Sequence, residues 1–231
     1  MPRLTSRILA VVFDLDDTLY PERDYVRSGY AAVAAAVGGP DRAEEFSAWL
    51  WSRFLAGQAA GAFDALNETF SLRLDKPGIA RLVTLYRSHA CRLRPFGGVA
   101  DLLSLLRPDY RLGVLSDAFL PGGRMKLAAL GLERFFDATV FTDELGPDRQ
   151  FWKPSPAGYE RIAQILGVPV SACAFVGDNP AKDFLAPNAL GARTIQYLQP
   201  GQLVAGTGAA PGGAPQHVAR MPGEILEALL P

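Results

Sequence analysis

The chain has 231 residues, 49% of them hydrophobic and 20% charged, enough for one sizeable core or for a core with a smaller inserted domain. A net charge of −1 without charge blocks argues against nucleic acid as a partner. No apolar run reaches the roughly 20 residues of a membrane-spanning helix. The apolar run after Arg3 and Arg7 is cut at Asp14, which argues against a signal peptide. Cys91 and Cys173 lack metal-ligand spacing, so we expect reduced thiols in a cytoplasmic protein.

Residues 8–20 are the most informative stretch and read ILAVVFDLDDTLY, with six apolar residues before three carboxylates within four positions. A short run of strand formers, apolar on both faces, is typical of a central parallel strand. Asp14 then lies where the strand ends, beside the edge at which open parallel sheets bind ligands. Asp14, Asp16 and Asp17 would repel one another there unless a cation or a bound proton separates them.

Residues 21–93 carry helical patterns and predict an all-helical domain inserted after the first strand. Gly38-Gly39-Pro40 should end the first helix, Asp41 can cap the second, and Asp75 precedes the last. Aromatic residues at helical spacing usually form the core of such a domain. The predicted helices span residues 24–37, 41–55, 62–72 and 75–92.

Strands and helices alternate after residue 94, which predicts a parallel sheet with right-handed crossovers. Ser155 should cap one helix and Pro187 should break another. Residues 200–215 are rich in Gly, Ala and Pro and predict a flexible surface loop. The predicted strands span 110–115, 138–141, 172–176, 194–197 and 216–219, and the predicted helices span 99–106, 122–130, 155–166, 181–190 and 222–230.

The predicted fold class is therefore α/β, a Rossmann-like parallel sheet with helices on both faces plus an inserted all-helical cap domain. Residues 1–20 and 94–231 would form the α/β core, and residues 21–93 the cap. Several strands end in polar residues that should meet at one edge of this sheet. These are Asp14, Ser116-Asp117, Thr142-Asp143-Glu144 and Gly177-Asp178-Asn179.

Four motifs occur in order: FDLDDT, VLSD, a lysine in FWKPSP, and VGDNPAKD. They resemble the ordered motifs of the haloacid dehalogenase-like hydrolase superfamily, and the helical block is similar to its small helical cap. The resemblance covers the chain through about residue 199 and implies a Mg²⁺-dependent phosphatase that works through an aspartyl-phosphate. The implied substrate is a small phosphorylated metabolite of the sugar phosphate or nucleoside monophosphate type, and the implied assembly is a monomer or homodimer.

The candidate catalytic residues fit the needs of phosphoryl transfer, which are a nucleophile, a proton source, donors and a cation. Asp14 is the expected nucleophile. Asp16 would protonate the leaving oxygen and later activate water. Lys153 would neutralise the charge of the phosphate and the nucleophile.

Metal and phosphate ligands follow from the remaining polar residues. Asp14, Asp178 and Asp183 offer the hard oxygens that Mg²⁺ prefers, although Asp183 could instead orient Lys153. The resemblance implies the backbone carbonyl of Asp16 as a further metal ligand. The expected phosphate-binding groups are Lys153, the Ser116 hydroxyl, the backbone amides from Leu15 to Asp17, and Asp117, which stands where many relatives carry Asn and whose contribution stays open.

The cap of such an enzyme closes over the leaving group, and its expected readers here are Tyr20, Arg23, Tyr25 and Arg27. Dehalogenases of the superfamily lack the second aspartate of the first motif, so Asp16 argues against that activity. A phosphomutase would hold a second phosphate with a basic group in the insert. An inactive binding protein would be expected to have lost the acids and the lysine, all of which remain here.

Overall fold

A computed structural model describes residues 7–203 and 208–230. The first six residues of the predicted core, with Arg3, lie outside the described residues, as do residues 204–207 of the predicted loop and residue 231. No helix of the described chain is long and apolar enough to span a membrane.

Within the described residues, one parallel sheet carries the fold, with the strand order β3-β2-β1-β4-β5-β6. Its first strand is central because Phe13 is in register with Val114 on one side and with Val176 on the other. The strand order reverses at β1, and open α/β sheets bind ligands in the crevice at such a reversal. The strands are β1 Ala10–Phe13, β2 Arg111–Ser116, β3 Ala138–Phe141, β4 Cys173–Gly177, β5 Arg193–Tyr197 and β6 His217–Ala219.

The insert between β1 and the rest of the sheet is helical, as predicted, and consists of α1 Glu22–Leu55, α2 Ala62–Thr69 and α3 Lys76–Ser88. A break at Gly39 (φ 57°, ψ −165°) divides α1 into two helical halves. Because the second half restarts at Pro40, Asp41 lies inside the helix and not at its cap. The insert has its own apolar core, which includes Val33, Phe46, Leu50, Leu66 and Leu82.

Helices cover both faces of the sheet, as the α/β prediction requires. They are α4 Val99–Leu106, α5 Gly122–Leu130, α6 Ala157–Leu166, α7 Leu185–Ala189 and α8 Pro222–Leu229. Alternate residues of β1 serve two separate cores. Val11 and Phe13 pack with α4, α5 and α8, whereas Ala10 and Val12 pack with α6. The buried, two-sided character of β1 is therefore confirmed.

Two helix starts differ from the sequence expectation. The helix predicted over residues 181–190 begins only at Leu185, so Pro187 is its third residue. Pro187 does not break this helix, because an N–H in the first turn has no intrahelical acceptor. The helix predicted from Ser155 begins at Ala157, and Pro156 occupies the N-cap position without a side-chain cap.

The chain leaves and re-enters the core at neighbouring points. The Phe96 amide donates a 2.9 Å hydrogen bond to the Leu19 carbonyl, which joins the segment before the insert to the segment after it. The two crossings between core and insert therefore run side by side next to the carboxyl end of β1.

Candidate active site

Polar residues from three adjacent strands meet at the carboxyl edge of the sheet. Asp14 follows β1 directly, Ser116 is the last residue of β2, and Asp178 follows β4. All three are buried. The arrangement matches the sequence expectation, because parallel strands bring their carboxyl ends to one edge.

Lys153 lies between two carboxylates. Its Nζ is 2.7 Å from Asp14 Oδ1 and 2.7 Å from Asp183 Oδ1. Burial acts to lower the pKa of Lys153, but these two carboxylates outweigh it and hold the pKa well above its usual value. The side chain of Asp117 fixes the loop that carries this lysine, since its Oδ1 accepts hydrogen bonds from the Lys153 amide (3.0 Å) and from Thr142 Oγ1 (2.8 Å).

The carboxylates of Asp14, Asp178 and Asp183 form a buried cluster whose ligand oxygens lie within 4.8 Å of one another. Burial, followed by the charges of Asp14 and Asp183, raises the pKa of Asp178 to about 9. Burial likewise raises the pKa of Asp14 to about 6, against the opposing effect of Lys153. Asp14 Oδ2 is buried and has no hydrogen-bond partner among the described residues. These features fit a hard divalent cation, which would supply the missing partner and separate the like charges.

Asp183 is held by its own surroundings as well as by Lys153. Its Oδ2 accepts a 2.9 Å hydrogen bond from the Asn179 amide, and its carbonyl accepts one of 2.9 Å from the Tyr159 hydroxyl. The carboxylate passes close to the end of β4, because a Cβ on Gly177 would lie 2.7 Å from Asp183 Oδ2. Both sequence hypotheses for Asp183, metal ligand and lysine partner, are compatible with this position.

Asp16 points into the cleft with one oxygen occupied. Its Oδ1 accepts a hydrogen bond from Lys126 Nζ at 2.8 Å and a second, short one from the Tyr20 hydroxyl. Burial acts to raise the pKa of Asp16, but Lys126 outweighs it and the pKa lies below its usual value. The Lys126 ammonium also lies 4.1 Å from the centre of the Tyr25 ring.

Asp17 turns away from the cleft. Its φ of 54° is left-handed, and its carboxylate accepts 2.7 Å hydrogen bonds from the amides of Glu22 and Leu203. Gln202 donates a 2.6 Å hydrogen bond to its carbonyl. The Asp17 side chain thus connects the loop after β1 to the start of the insert and to the segment after β5. Of the groups of Asp17, only the backbone amide remains a predicted phosphate donor.

A cavity of about 370 Å³ opens in front of the reactive groups. Of the predicted substrate readers, Tyr25 lines it and Tyr20 contacts Asp16 behind it. Arg23 and Arg27 are not part of its wall, because Arg23 lies beside Gly201 and Arg27 lies over the Trp51 ring. The lining residues are Asp14, Asp16, Glu22, Tyr25, Val83, Tyr86, Arg87, Ser116, Asp117, Ala118, Phe119, Gly122, Lys126, Trp152 and Lys182.

The sequence reasoning did not identify Lys126, Lys182 or Arg87 as site residues. Lys182 lies within the motif VGDNPAKD, so its place beside Asp183 could have been noticed. Lys126 falls four residues before Leu130 on the buried side of α5, and a lysine on a buried helix face is itself unusual. Nothing in the sequence marks Arg87.

A family model described as haloacid dehalogenase-like hydrolase matches residues 8–191. The chain belongs to the haloacid dehalogenase-like hydrolases. The match includes β1, the helical insert and the strands as far as β4, so it covers each of the four motifs. The predicted family is confirmed, and so is the fold class.

Relatives of this hydrolase carry the names of different activities. The chain is 29% identical to a glyceraldehyde 3-phosphate phosphatase of Methanothermobacter thermautotrophicus over 195 residues, which are 80% of this chain and 84% of that protein. It is 28% identical to an (S)-2-haloacid dehalogenase of Xanthobacter autotrophicus, with 87% and 81% of the two chains covered.

A solved structure shares the fold. The structure of a haloacid dehalogenase family hydrolase from Deinococcus radiodurans with bound phosphate and sodium superposes with a TM-score of 0.66 at 22% identity. The superposition covers 97% of this chain and 98% of that one.

Proposed function

We propose that this hydrolase is a Mg²⁺-dependent phosphatase that acts on a small phosphorylated metabolite through an aspartyl-phosphate at Asp14. The strongest support is the environment of the Asp14 carboxylate. Its Oδ1 is paired with Lys153, while its buried Oδ2, which lies beside Asp178 and Asp183, has no hydrogen-bond partner in the part of the chain that the structure describes. A carboxylate oriented in this way at a strand end is suited to attack a phosphorus atom.

The residues around Asp14 supply charge and donors for the phosphoryl group. Lys153 balances negative charge on the nucleophile and on the phosphoryl oxygens. The Ser116 hydroxyl accepts a 3.2 Å hydrogen bond from the Ala118 amide, which leaves its own proton free to be donated to a phosphoryl oxygen. The amides after Asp14 are proposed as further donors.

Asp14, Asp178 and Asp183, with the backbone carbonyl of Asp16, would hold the Mg²⁺ ion. When bound, the ion neutralises charge on the phosphoryl oxygens and on the clustered carboxylates. The same carboxylates repel an anionic substrate in its absence, so we expect activity to depend on it.

Asp16 is the proposed acid and base. In the first half-reaction a bond forms between Asp14 and phosphorus, the ester bond breaks, and the leaving oxygen takes a proton from Asp16. The negative charge of the entering phosphoryl group would favour this protonated form of Asp16 against the opposing effect of Lys126. In the second, Asp16 takes a proton from water, whose oxygen attacks phosphorus and releases Asp14. Since Tyr20 and Lys126 occupy Oδ1, Oδ2 is the oxygen placed to exchange these protons.

The substrate is proposed to be a small phosphorylated metabolite such as a sugar phosphate or a nucleoside monophosphate. The insert forms part of the cavity wall, which limits access for a phosphorylated protein. The relative named as a glyceraldehyde 3-phosphate phosphatase supports this class. We further propose a cytoplasmic monomer or homodimer, and the free thiols Cys91 and Cys173 are compatible with a reducing compartment.

The proposal is tested by release of phosphate from p-nitrophenyl phosphate and from a panel of phosphorylated metabolites, with Mg²⁺ and with EDTA. We expect turnover with Mg²⁺, none with EDTA, and a loss of at least about 10³-fold in kcat for Asp14→Asn, because the nucleophile is removed. Circular dichroism should show the variant folded. Activity of Asp14→Asn near wild type, or activity that survives EDTA, would contradict the mechanism.

Dehalogenation is the second candidate, since the chain is also similar to an (S)-2-haloacid dehalogenase. It would use Asp14 to displace halide and would not need the metal. Asp16 argues against it, because a halide leaving group requires no proton. Release of chloride from (S)-2-chloropropionate without Mg²⁺, together with no phosphatase activity, would favour this candidate over the first.

A further inference from the structure

Two adjoining cavities extend from Asp14 into the insert. The first, of about 370 Å³, contains the reactive groups, and the second, of about 460 Å³, lies among the helices of the insert. Glu22, Val83, Tyr86 and Arg87 line both, so they form the boundary between the two. Cavities of about 300–1,000 Å³ enclose molecules of drug size. The two cavities together are therefore larger than a three-carbon leaving group would need.

Two arginines from different parts of the chain lie close to the same aromatic ring, Phe119, beside this boundary. Arg87 is in α3 of the insert, and its Cζ lies 3.5 Å from the centre of the Phe119 ring, which belongs to the segment after β2. Arg149 follows β3 in the core, and its Cζ lies 5.0 Å from the Phe119 centre and 4.7 Å from the Trp152 centre. Both arginines line the second cavity.

The aromatic contacts orient these guanidinium groups without occupying their hydrogen-bond donors. A guanidinium over a ring is attracted through its face, while its N–H donors lie in its plane and point outward. Within residues 7–203 and 208–230, neither side chain forms an ion pair or donates a hydrogen bond. Two oriented cations with free donors are suited to a planar or tetrahedral oxyanion.

The acidic residues of the second cavity lie in different settings. Asp64 is exposed in the first turn of α2, where the helix dipole favours an acid. Glu22 lies in the shared wall, and burial, with the charge of Asp16 next, raises its pKa to about 7. Because this pKa lies near neutral pH, part of the Glu22 population is protonated and can donate a hydrogen bond to a ligand. The protonated form also repels a bound anion less than the ionised form would.

We propose that the leaving group of the substrate carries an anionic group, a carboxylate or a second phosphoryl, which binds to Arg87 and Arg149 at the boundary of the two cavities. This inference rests on the proposed phosphatase function. The phosphoryl group would lie at Asp14, the carbon body against Tyr86 and Phe119, and the anion between the two guanidinium groups.

The test compares three compounds with one carbon skeleton and different groups at C1: 6-phosphogluconate, glucitol 6-phosphate and glucitol 1,6-bisphosphate. With Mg²⁺, we expect kcat/KM for an anionic compound to exceed that for glucitol 6-phosphate by about tenfold or more, as expected for a good charged contact. Which anionic compound is preferred identifies the carboxylate or the phosphoryl group as the ligand.

The ratio of kcat/KM values is then measured in Arg87→Met and Arg149→Met, where we expect it to fall towards one. Arg149→Lys should keep part of the preference for the anionic compound, since the charge remains but the planar set of guanidinium N–H donors is lost. Arg81→Met is the matched control, an exposed arginine of the same helix as Arg87 that does not line either cavity. Because a ratio is compared within each variant, partial unfolding cancels.

Three outcomes would overturn the inference. A ratio near one in the wild type would do so while leaving the phosphatase proposal intact, provided that glucitol 6-phosphate or p-nitrophenyl phosphate is hydrolysed. A ratio that persists in both methionine variants would remove Arg87 and Arg149 as its cause. If no phosphate ester is hydrolysed with Mg²⁺, the proposed function itself fails and the inference fails with it.

Discussion

At the scale of single residues, the proposed mechanism gives the two oxygens of Asp16 different tasks. Oδ1 is held by Tyr20 and Lys126, which fixes the direction of the carboxyl group and leaves Oδ2 towards the cavity. Proton transfer by a well-positioned group contributes roughly 10²–10⁴-fold to a rate. Lys126 is therefore expected to matter for the reaction although it belongs to none of the four motifs.

Replacing Lys126 by Met removes the contact that orients Asp16 Oδ1, and we expect this loss of positioning to outweigh the rise in the pKa of Asp16 that follows from losing the charge. The protonation of poor leaving groups should then suffer most. We expect kcat/KM for glycerol 3-phosphate to fall about 10²-fold and that for p-nitrophenyl phosphate by less than about tenfold, because the phenol leaves without much help from an acid. Lys126→Arg should recover part of the loss. Both substrates are measured with the exposed Lys76→Met as control. An equal loss on both would show that Lys126 does not act through the protonation of the leaving group.

The candidate site residues that could be predicted from the sequence pattern lie at or just after the ends of buried strands, whereas Lys153 and Asp183 are predicted from the motifs that carry them. Asp14, Ser116 and Asp178 each follow a strand whose apolar run is visible in the sequence, and parallel pairing brings them to one edge. Lys126 and Arg87 could not be found in this way. They reach the cleft from the middle of α5 and the end of α3, and their neighbours there come from other parts of the chain.

At the scale of the elements, local patterns predicted most of the helices and strands but not all their ends. The glycine pair before Pro40 interrupts α1 where expected, because Gly39 adopts a left-handed φ. By contrast, α7 accommodates Pro187 because the proline falls in the first turn. Whether a proline interrupts a helix depends on where the helix begins, and α7 begins only two residues before Pro187.

The end of β4 gives a prediction for metal binding. A methyl group on Gly177 would lie 2.7 Å from Asp183 Oδ2, so Gly177→Ala should displace this carboxylate. We expect Mg²⁺ affinity to drop by about 10–100-fold, the usual effect of disturbing the support of a ligand. Isothermal titration calorimetry measures it. Gly97→Ala is the control, because a Cβ there meets no atom within 4 Å. An unchanged affinity would contradict the role of Asp183 in metal binding.

At the scale of the whole molecule, the carboxylate cluster links stability to pH and metal. Since the pKa of Asp178 is about 9 in the folded, metal-free protein, above its ordinary value of 3.8, its contribution to stability is present at low pH. The contribution is lost as pH rises from about 4 through 9. Asp14, with a pKa of about 6, acts in the same direction over a narrower window.

Metal binding should reverse this loss, because the cation requires ionised carboxylates. We expect the rise in Tm caused by excess Mg²⁺ to be larger at pH 8 than at pH 6. At pH 7.5 binding should release about one proton, mainly from Asp178. Titration calorimetry in Tris and in HEPES, two buffers that differ in ionisation enthalpy, measures the number of protons released. A binding enthalpy that is equal in both buffers would show that no proton is released, and would contradict a protonated Asp178 in the metal-free protein.

The hydrogen bond between the Phe96 amide and the Leu19 carbonyl has a consequence for product exit. Because it joins the outgoing and returning chain segments, we expect any movement of the insert relative to the sheet to occur about this point, with the insert moving as one unit. Such a swing would carry Tyr25 and Arg87 away from Lys126 and Phe119 while the ladder of β1 stays intact. Release of product would then require only the cation–π contacts between the insert and the core to separate, while Asp14 keeps its position.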